Sequence, residues 1–336
     1  MNDVVDLTRA LVRRPSISGN EAACVELLAD LLPDAKVSGR NVWALKGEGD
    51  RTLLLNSHTD TVPHSKEWTR DPWDAALEDG KVRGLGANDA KGPLAALVTA
   101  FLRYDGPGRL LLAATCDEEI GGEGLGTLRP ELPPIHAAIV GEPTGCVPCS
   151  GQRGLLRLRL HVEGKRAHAS RPWQGENAIF GAARALGAIE ALDLGPPHSM
   201  LGPATAQVTM IEGGVAKNVI PPACVMEFDG RTHPEMDNTR LRELVENAVD
   251  CRVELVSDRF QPCFTPTDDP IVRATGQEPQ VFGGVSDLFW VRDVPGVVMG
   301  PGRSEQSHAA DEWIEVEQLE RGVAVYAETI RRFFGE

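Results

Sequence analysis

No stretch of this sequence approaches the ~18 consecutive apolar residues that a membrane-spanning helix requires, which excludes a helical membrane span. The opening residues, MNDVVDLTRALVRRPSISGNE, lack a basic start followed by an apolar block, so no secretory leader is expected. Their apolar spacing reads instead as a first helix that ends before Pro15. Positive charge is short as well: 34 Lys and Arg face 49 Asp and Glu, for a net charge of −15. That balance argues against nucleic acid and anionic membrane as partners and is compatible with a cationic small substrate. The seven cysteines are scattered and odd in number, which fits a reducing cytoplasm better than a disulfide scaffold. Cys146 and Cys149 make one C-x-x-C with no second pair at zinc-finger spacing, and read as structural. Low-complexity segments and short repeats are absent.

What is present is ordinary globular material: 336 residues, 42% hydrophobic and 25% charged, room for about two domains. TLLLNS (52–57), RLLLAAT (109–115) and HAAIVG (136–141) are short continuous apolar runs. Such runs suit strands buried on both faces of a mostly parallel sheet. The helical pattern GPLAALVTAFLRY lies between the first two, with Pro93 near its start, where the missing N–H costs nothing. This βα alternation predicts an α/β layer.

The texture changes near Gly151. GLLRLRLHVEG (154–164) alternates apolar and polar residues, as a strand with one wet face does. A helix (177–192), two strands, a further helix and a last strand follow, giving the order β-α-β-β-α-β of the split βαβ plan. VPGVVMG (294–300) then restores the buried-run texture before a long final helix. The expected organisation is a discontinuous α/β domain, residues 1–151 and 263–336, carrying an inserted α+β domain at 152–262.

Each apolar run of the first domain delivers a histidine or a carboxylate just past its end. His58 follows Leu53–Leu55, Glu118 and Glu119 follow Leu110–Thr115, Glu142 follows Ala137–Val140, and His308 lies beyond Val297–Met299. Asp89 sits in the glycine-rich GLGANDAKGP, just before a helix. In an open α/β sheet the ligand crevice lies outside the carboxyl ends of the strands. A single acid at a strand end is ordinarily a solvated turn residue, and Asp71, Asp74, Glu78 and Asp79 read that way. His64, His136, His161, His198 and His233 read as surface or satisfied core. A converging set of carboxylates repels unless a cation sits among them. Imidazole and carboxylate together suit Zn²⁺, Co²⁺ or Mn²⁺, and the ligands outnumber one tetrahedral site, so a bridged pair of metals is the economical reading. Asp60, two residues past His58, faces the same way on an extended chain and can hold the second ring nitrogen of His58. Of the adjacent Glu118 and Glu119, one can bind metal while the other faces the crevice as a general base. That chemistry is hydrolysis of an amide, ester or related bond.

The segments SHTDTVP, LEDGKVRGLGANDAKGP, TCDEEIGG, GEPT and SHAADEW resemble, in order and across nearly the whole chain, the M20 metallopeptidase/aminoacylase family, in its acetylornithine deacetylase and succinyl-diaminopimelate desuccinylase branch. The resemblance implies a di-metal hydrolase domain whose inserted domain serves as lid and dimerisation element. It implies two divalent ions per chain, Zn²⁺ or Co²⁺, one on His58 and Glu142, the other on Glu119 and His308, with Asp89 bridging and a cis peptide after it. It implies Glu118 as the base and Asp60 as the partner of His58. His168 in GKRAHAS matches the histidine that stabilises the oxyanion from the other subunit of a homodimer. Asn218 in KNVIPP and Arg231 in FDGR match substrate-binding positions.

The expected activity is hydrolysis of the N-acyl amide of a small amino acid in the cytoplasm, with N-acetylornithine, an arginine-biosynthetic substrate, leading. N-acetylcitrulline, N-succinyl-ornithine, succinyl-diaminopimelate and carrier-linked lysine or ornithine stand as alternatives, as do a dipeptidase or carboxypeptidase activity and a non-catalytic amino-acid binder. The retained Glu118 counts against the last. Ala90 stands where many desuccinylases carry Met, and the chain is short for the family; both leave the acyl group open.

Overall fold

The computed structural model describes residues 3–122 and 124–335. The chain folds into two compact units. One comprises the chain up to Gly151, Phe264–Phe282 and everything from Ser286 on; the other comprises Gln152–Cys263 with Gly283–Val285.

The larger unit is built on a nine-stranded mixed sheet. Its centre is parallel: Arg109–Thr115 pairs with Thr52–His58, which pairs with Ala137–Val140, which pairs with Gly296–Val298. Every residue of Thr52–His58, Ala137–Val140 and Gly296–Val298 is buried, which is why these strands read as unbroken apolar runs. Asn41–Lys46 pairs antiparallel with Arg109–Thr115 on one flank. The helices Val4–Val12, Lys91–Arg103 and Val316–Phe334 pack on the sheet and share one core with it, including Leu53, Leu55, Leu97, Phe101 and Tyr326. The Tyr326 hydroxyl donates to the carbonyl of Met299 at 2.6 Å, so a buried polar tip is satisfied where the last parallel strand ends.

Register decides what the sheet presents. His58 stands opposite Thr115, Asn56 opposite Val140 and Val298 opposite Val140. Thr52–His58 and Arg109–Thr115 therefore end level with each other, Ala137–Val140 and Gly296–Val298 end level two residues earlier, and the loops that follow leave from the same edge.

The smaller unit holds a four-stranded antiparallel sheet in the order Thr205–Gly213, Ala223–Thr232, Gly154–Glu163, Arg252–Phe260. Gly154–Glu163 alternates buried and open positions. The helices Ala178–Glu190 and Asn238–Ala248 cover one face, closing a core of Leu156, Leu158, Leu160, Ala182, Phe228 and Leu241. Each helix has a side-chain N-cap: Asn177 accepts from the N–H of Ile179, and Asp237 from that of Arg240. No described helix of either unit is long and apolar enough to cross a membrane.

Candidate active site

At the carboxyl edge of the parallel sheet, His58 ends its strand with a side chain only 1% exposed. Its Nδ1 lies 3.0 Å from the backbone carbonyl of Asp60, so Nδ1–H donates there and Nε2 is left to face the crevice. The Asp60 carboxylate stands farther from the ring, at 3.4 Å. The alternation of side chains that would put the Asp60 carboxylate against the ring ends with the strand at His58. Asp60 instead turns its carboxylate to the segment after Thr115. It accepts the N–H of Glu118 at 3.1 Å and of Glu119 at 3.2 Å, and the hydroxyl of Ser18 at 2.6 Å. Glu118 and Glu119 open a short 3₁₀ turn, Glu118–Ile120, entered through Asp117 at φ 61°.

Asp89 lies before the helix Lys91–Arg103, in a loop whose following peptide, Asp89–Ala90, is cis. Glu312 cradles that loop: Oε1 accepts the N–H groups of Asn88 (2.7 Å) and Asp89 (2.9 Å), and Oε2 that of Gly86 (3.0 Å). Asp89 Oδ1 faces His58 Nε2 at 3.4 Å, and Oδ2 faces His308 Nε2 at 3.7 Å. His308 also meets Glu119 Oε2 at 2.8 Å. Ligand atoms of His58, Asp89 and Glu142 converge in one group, and those of Asp89, Glu119 and His308 in another, with all atoms of each group within 4.8 Å of one another. Asp89 belongs to both.

The electrostatics of this cluster are unbalanced. Burial pushes the Glu118 and Glu142 carboxyls well above their usual range, and neighbouring acids push further, with His58 opposing. Burial, partly offset by the Thr115 hydroxyl, holds Asp287 at about 6. Burial disfavours charge on His58, but Asp60 and Asp89 outweigh it and hold the imidazole well above its usual value. The bond to Glu119 holds His308 up at about 9. Buried polar atoms ordinarily find partners, yet His58 Nε2, Glu119 Oε1 and Glu142 Oε1 have none. These orphaned atoms belong to the two converging groups. Imidazole nitrogens and carboxylate oxygens crowded together this way are, once their protons are displaced, the donor set that borderline divalent cations take, so the residues present fit two such ions.

A third convergent group, Glu21, Cys116 and Asp117, is a different case. The Arg40 guanidinium bridges Glu21 and Asp117, and burial pushes the Cys116 thiol up to about 12. This cluster already contains its cation.

His168, Asn218 and Arg231 lie in the smaller unit. A short ladder sets His168 opposite Val219, and Ala169 N–H donates to the Asn218 carbonyl at 2.9 Å, so His168 and Asn218 are neighbours. His168 is exposed, and its Nδ1 accepts the Ser170 N–H at 3.2 Å with the Ser170 hydroxyl at 2.7 Å. That leaves Nε2–H as the ring's remaining donor. Arg231 Nε donates to Asp229 at 2.8 Å and keeps 39% of its side chain exposed. Among the histidines read as structural, His136 is satisfied, its Nδ1 accepting the N–H of Thr52 at 3.0 Å.

The sequence reading gave no role to Ser18, Glu312, Asp287 or Arg40. Ser18 and Glu312 lie in or beside segments it singled out, but their partners, the Asp60 carboxylate for Ser18 and backbone N–H groups of Gly86, Asn88 and Asp89 for Glu312, stand on distant loops. Arg40 pairs with acids 19 and 77 residues away, Glu21 and Asp117.

The model of peptidase family M20/M25/M40 matches residues 54–332. The chain is 33% identical to an acetylornithine deacetylase of Myxococcus xanthus, over 90% of this chain and 87% of that one. It is 31% identical to a succinyl-diaminopimelate desuccinylase of Stenotrophomonas maltophilia, over 99% of both. Its fold superposes on the crystal structure of the aminopeptidase PepT from Bacillus cereus with a TM-score of 0.79, at 22% identity and 98% coverage of each chain.

Proposed function

The chain belongs to peptidase family M20/M25/M40, whose members are metal-dependent hydrolases, and on that premise we propose that it hydrolyses the N-acyl amide of a small amino acid at a pair of divalent cations. The observation that carries this reading is the pair of ligand groups sharing Asp89, in which His58, Glu119 and Glu142 each keep a buried polar atom without a partner. His58, Glu142 and Asp89 would hold one ion; Glu119, His308 and Asp89 would hold the other. Bound there, the cations would supply Lewis acidity to the acyl carbonyl and would lower the pKa of an attacking water. Glu118 takes the proton from that water and returns it to the departing amine. Asp60 fixes the ring of His58 through its carbonyl and the Glu118–Glu119 turn through its carboxylate, so ligand and base keep their geometry as charge moves. His168, through its Nε2–H, donates to the oxyanion of the tetrahedral intermediate. Arg231 pairs with the substrate carboxylate, with Asn218 beside His168 as a further polar contact.

A homodimer completes this arrangement, the second copy supplying His168. Support for association lies on the smaller unit. Its edge strand Thr205–Gly213 leaves Met210 and Ile211 exposed at 68% and 54%, with exposed Val215, Ile179 and Phe180 as well. Ile179 lies beside Gly213 and Gly214, so exposed apolar side chains at the helix start and the strand end are neighbours, as they are at surfaces that mark an interface. No disulfide joins any of the seven cysteines, consistent with work in a reducing compartment.

The leading substrate is N-acetylornithine. Similarity to an acetylornithine deacetylase supports the acetyl group, and the net charge of −15 favours a cationic side chain. Similarity to a desuccinylase keeps succinyl-diaminopimelate as the second reading. The test is kcat/KM for N-acetylornithine, N-acetylcitrulline, N-succinyl-ornithine, succinyl-diaminopimelate and dipeptides at equal metal loading. A substantial kcat/KM on N-acetylornithine is expected. Turnover of succinyl substrates alone would replace the acetyl assignment, and cleavage of dipeptides alone would replace the deacylase reading.

A further inference from the structure

A closed circuit of hydrogen bonds runs through the turn that carries Glu118 and Glu119. The Arg40 guanidinium donates from Nη1 to Glu21 Oε2 at 2.6 Å and to Asp117 Oδ1 at 2.7 Å, and from Nη2 to Asp117 Oδ2. The other oxygen of Glu21 accepts the N–H of Gly19 at 2.9 Å. Ser18, the residue before Gly19, donates to Asp60 at 2.6 Å. Asp60 accepts the N–H groups of Glu118 and Glu119, and Asp117 precedes them in the chain. The N-terminal segment Ser18–Glu21 is thus tied to the turn at both ends, through Asp60 on one side and Arg40 on the other.

The energetics favour a positioning role over simple surface pairing. Glu21 is fully buried, so its carboxylate needs a cation, and Arg40 holds that carboxylate and the two-pronged contact with Asp117 together. Asp117 sits at φ 61°, a left-handed conformation that a side chain adopts at a cost unless its surroundings fix it. A forked guanidinium on the Asp117 carboxylate fixes it, and a point charge such as an ammonium could not match both prongs.

We propose that Arg40, acting through Asp117 and Glu21, is a positioning residue that holds the Asp117–Glu119 turn so that Glu118 and Glu119 face the crevice. The proposal rests on the roles given to Glu118 and Glu119 above. Arg40 itself touches neither substrate nor ion.

The test compares wild type with Arg40→Ala, Arg40→Lys and a control, Arg70→Ala, which removes an exposed ion pair with Glu78. Zn²⁺ is titrated calorimetrically into the metal-free proteins, and kcat and KM are measured on whichever panel substrate the wild type hydrolyses. Arg40→Ala should weaken one of the two metal-binding events by about 10–100-fold and lower kcat by a comparable factor, with KM little changed. Added guanidinium should restore both, Arg40→Lys should recover only part, and Arg70→Ala should match wild type. Wild-type binding of both equivalents by Arg40→Ala would overturn the proposal. So would a loss that guanidinium fails to restore. Should Arg40→Ala not fold, Asp117→Asn, which keeps shape and removes charge, is expected to weaken the same event, and unchanged binding there overturns it equally. A wild type inert on every substrate would refute the proposed reaction, while the calorimetry would still decide the role of Arg40.

Discussion

The carboxylate of Asp60 accepts the backbone N–H of Glu118 at 3.1 Å, across 58 residues of sequence. One buried side chain therefore ties the strand that ends in His58 to the turn that carries the candidate base. Burial opposes the charge on Asp60, but the His58 ring, the Ser18 hydroxyl and the Glu118 N–H outweigh it and hold the carboxyl below its usual range. An acid this committed to neighbouring donors is poorly suited to proton transfer and well suited to holding others in place.

Asp60→Asn is expected to disturb the site without unfolding the chain. The amide nitrogen would face a backbone N–H, a donor against a donor, and the Glu118–Glu119 turn would shift. Loss of such an outer partner typically costs about 10–100-fold in activity or metal affinity. Steady-state kinetics with circular dichroism on the variant check this; a native spectrum with unchanged kcat would mean that the turn is held by other contacts.

Glu118→Gln should retain fold and metals and lose turnover, because the amide keeps the shape but cannot take the proton. The expected loss in kcat is about 10²–10⁴-fold. If the metal-loaded variant kept half its activity, the base would have to be another group.

How far the site was legible in the sequence follows from what sets each contact. Leu53–Leu55 and Leu110–Leu112 announced themselves because parallel strands are buried on both faces, and the chemistry-bearing residues followed from where such strands end. The strand Asn41–Lys46 gave no comparable signal. It pairs antiparallel on the flank of the parallel strands and ends half-buried, so its pattern is mixed. The alternation of an extended chain points the Asp60 side chain at His58, but the strand stops at His58. The nearer group to the ring is then the Asp60 carbonyl. Glu312 and Arg40 were out of reach because they serve loops whose proximity only the fold creates.

The partner contribution is open to complementation. Mixing His168→Ala with Glu118→Gln chains should restore one competent site in each mixed dimer if His168 acts across the subunits, giving about a quarter of wild-type activity from random pairing of a symmetric dimer. No recovery after demonstrated subunit exchange would place His168 in its own chain's site or outside the reaction.

The proposed metal pair is the centre of the site. Metal-free protein is reconstituted with Zn²⁺ or Co²⁺, and bound metal, thermal stability and hydrolytic rate are followed together as equivalents are added. The expected result is saturation near two equivalents per chain, a rise in Tm with each as the crowded carboxylates are neutralised, and full rate only at the second. Asp89→Ala, which removes the shared ligand, should impair both equivalents. Saturation at one equivalent with full activity would contradict the shared-aspartate site and the mechanism built on it.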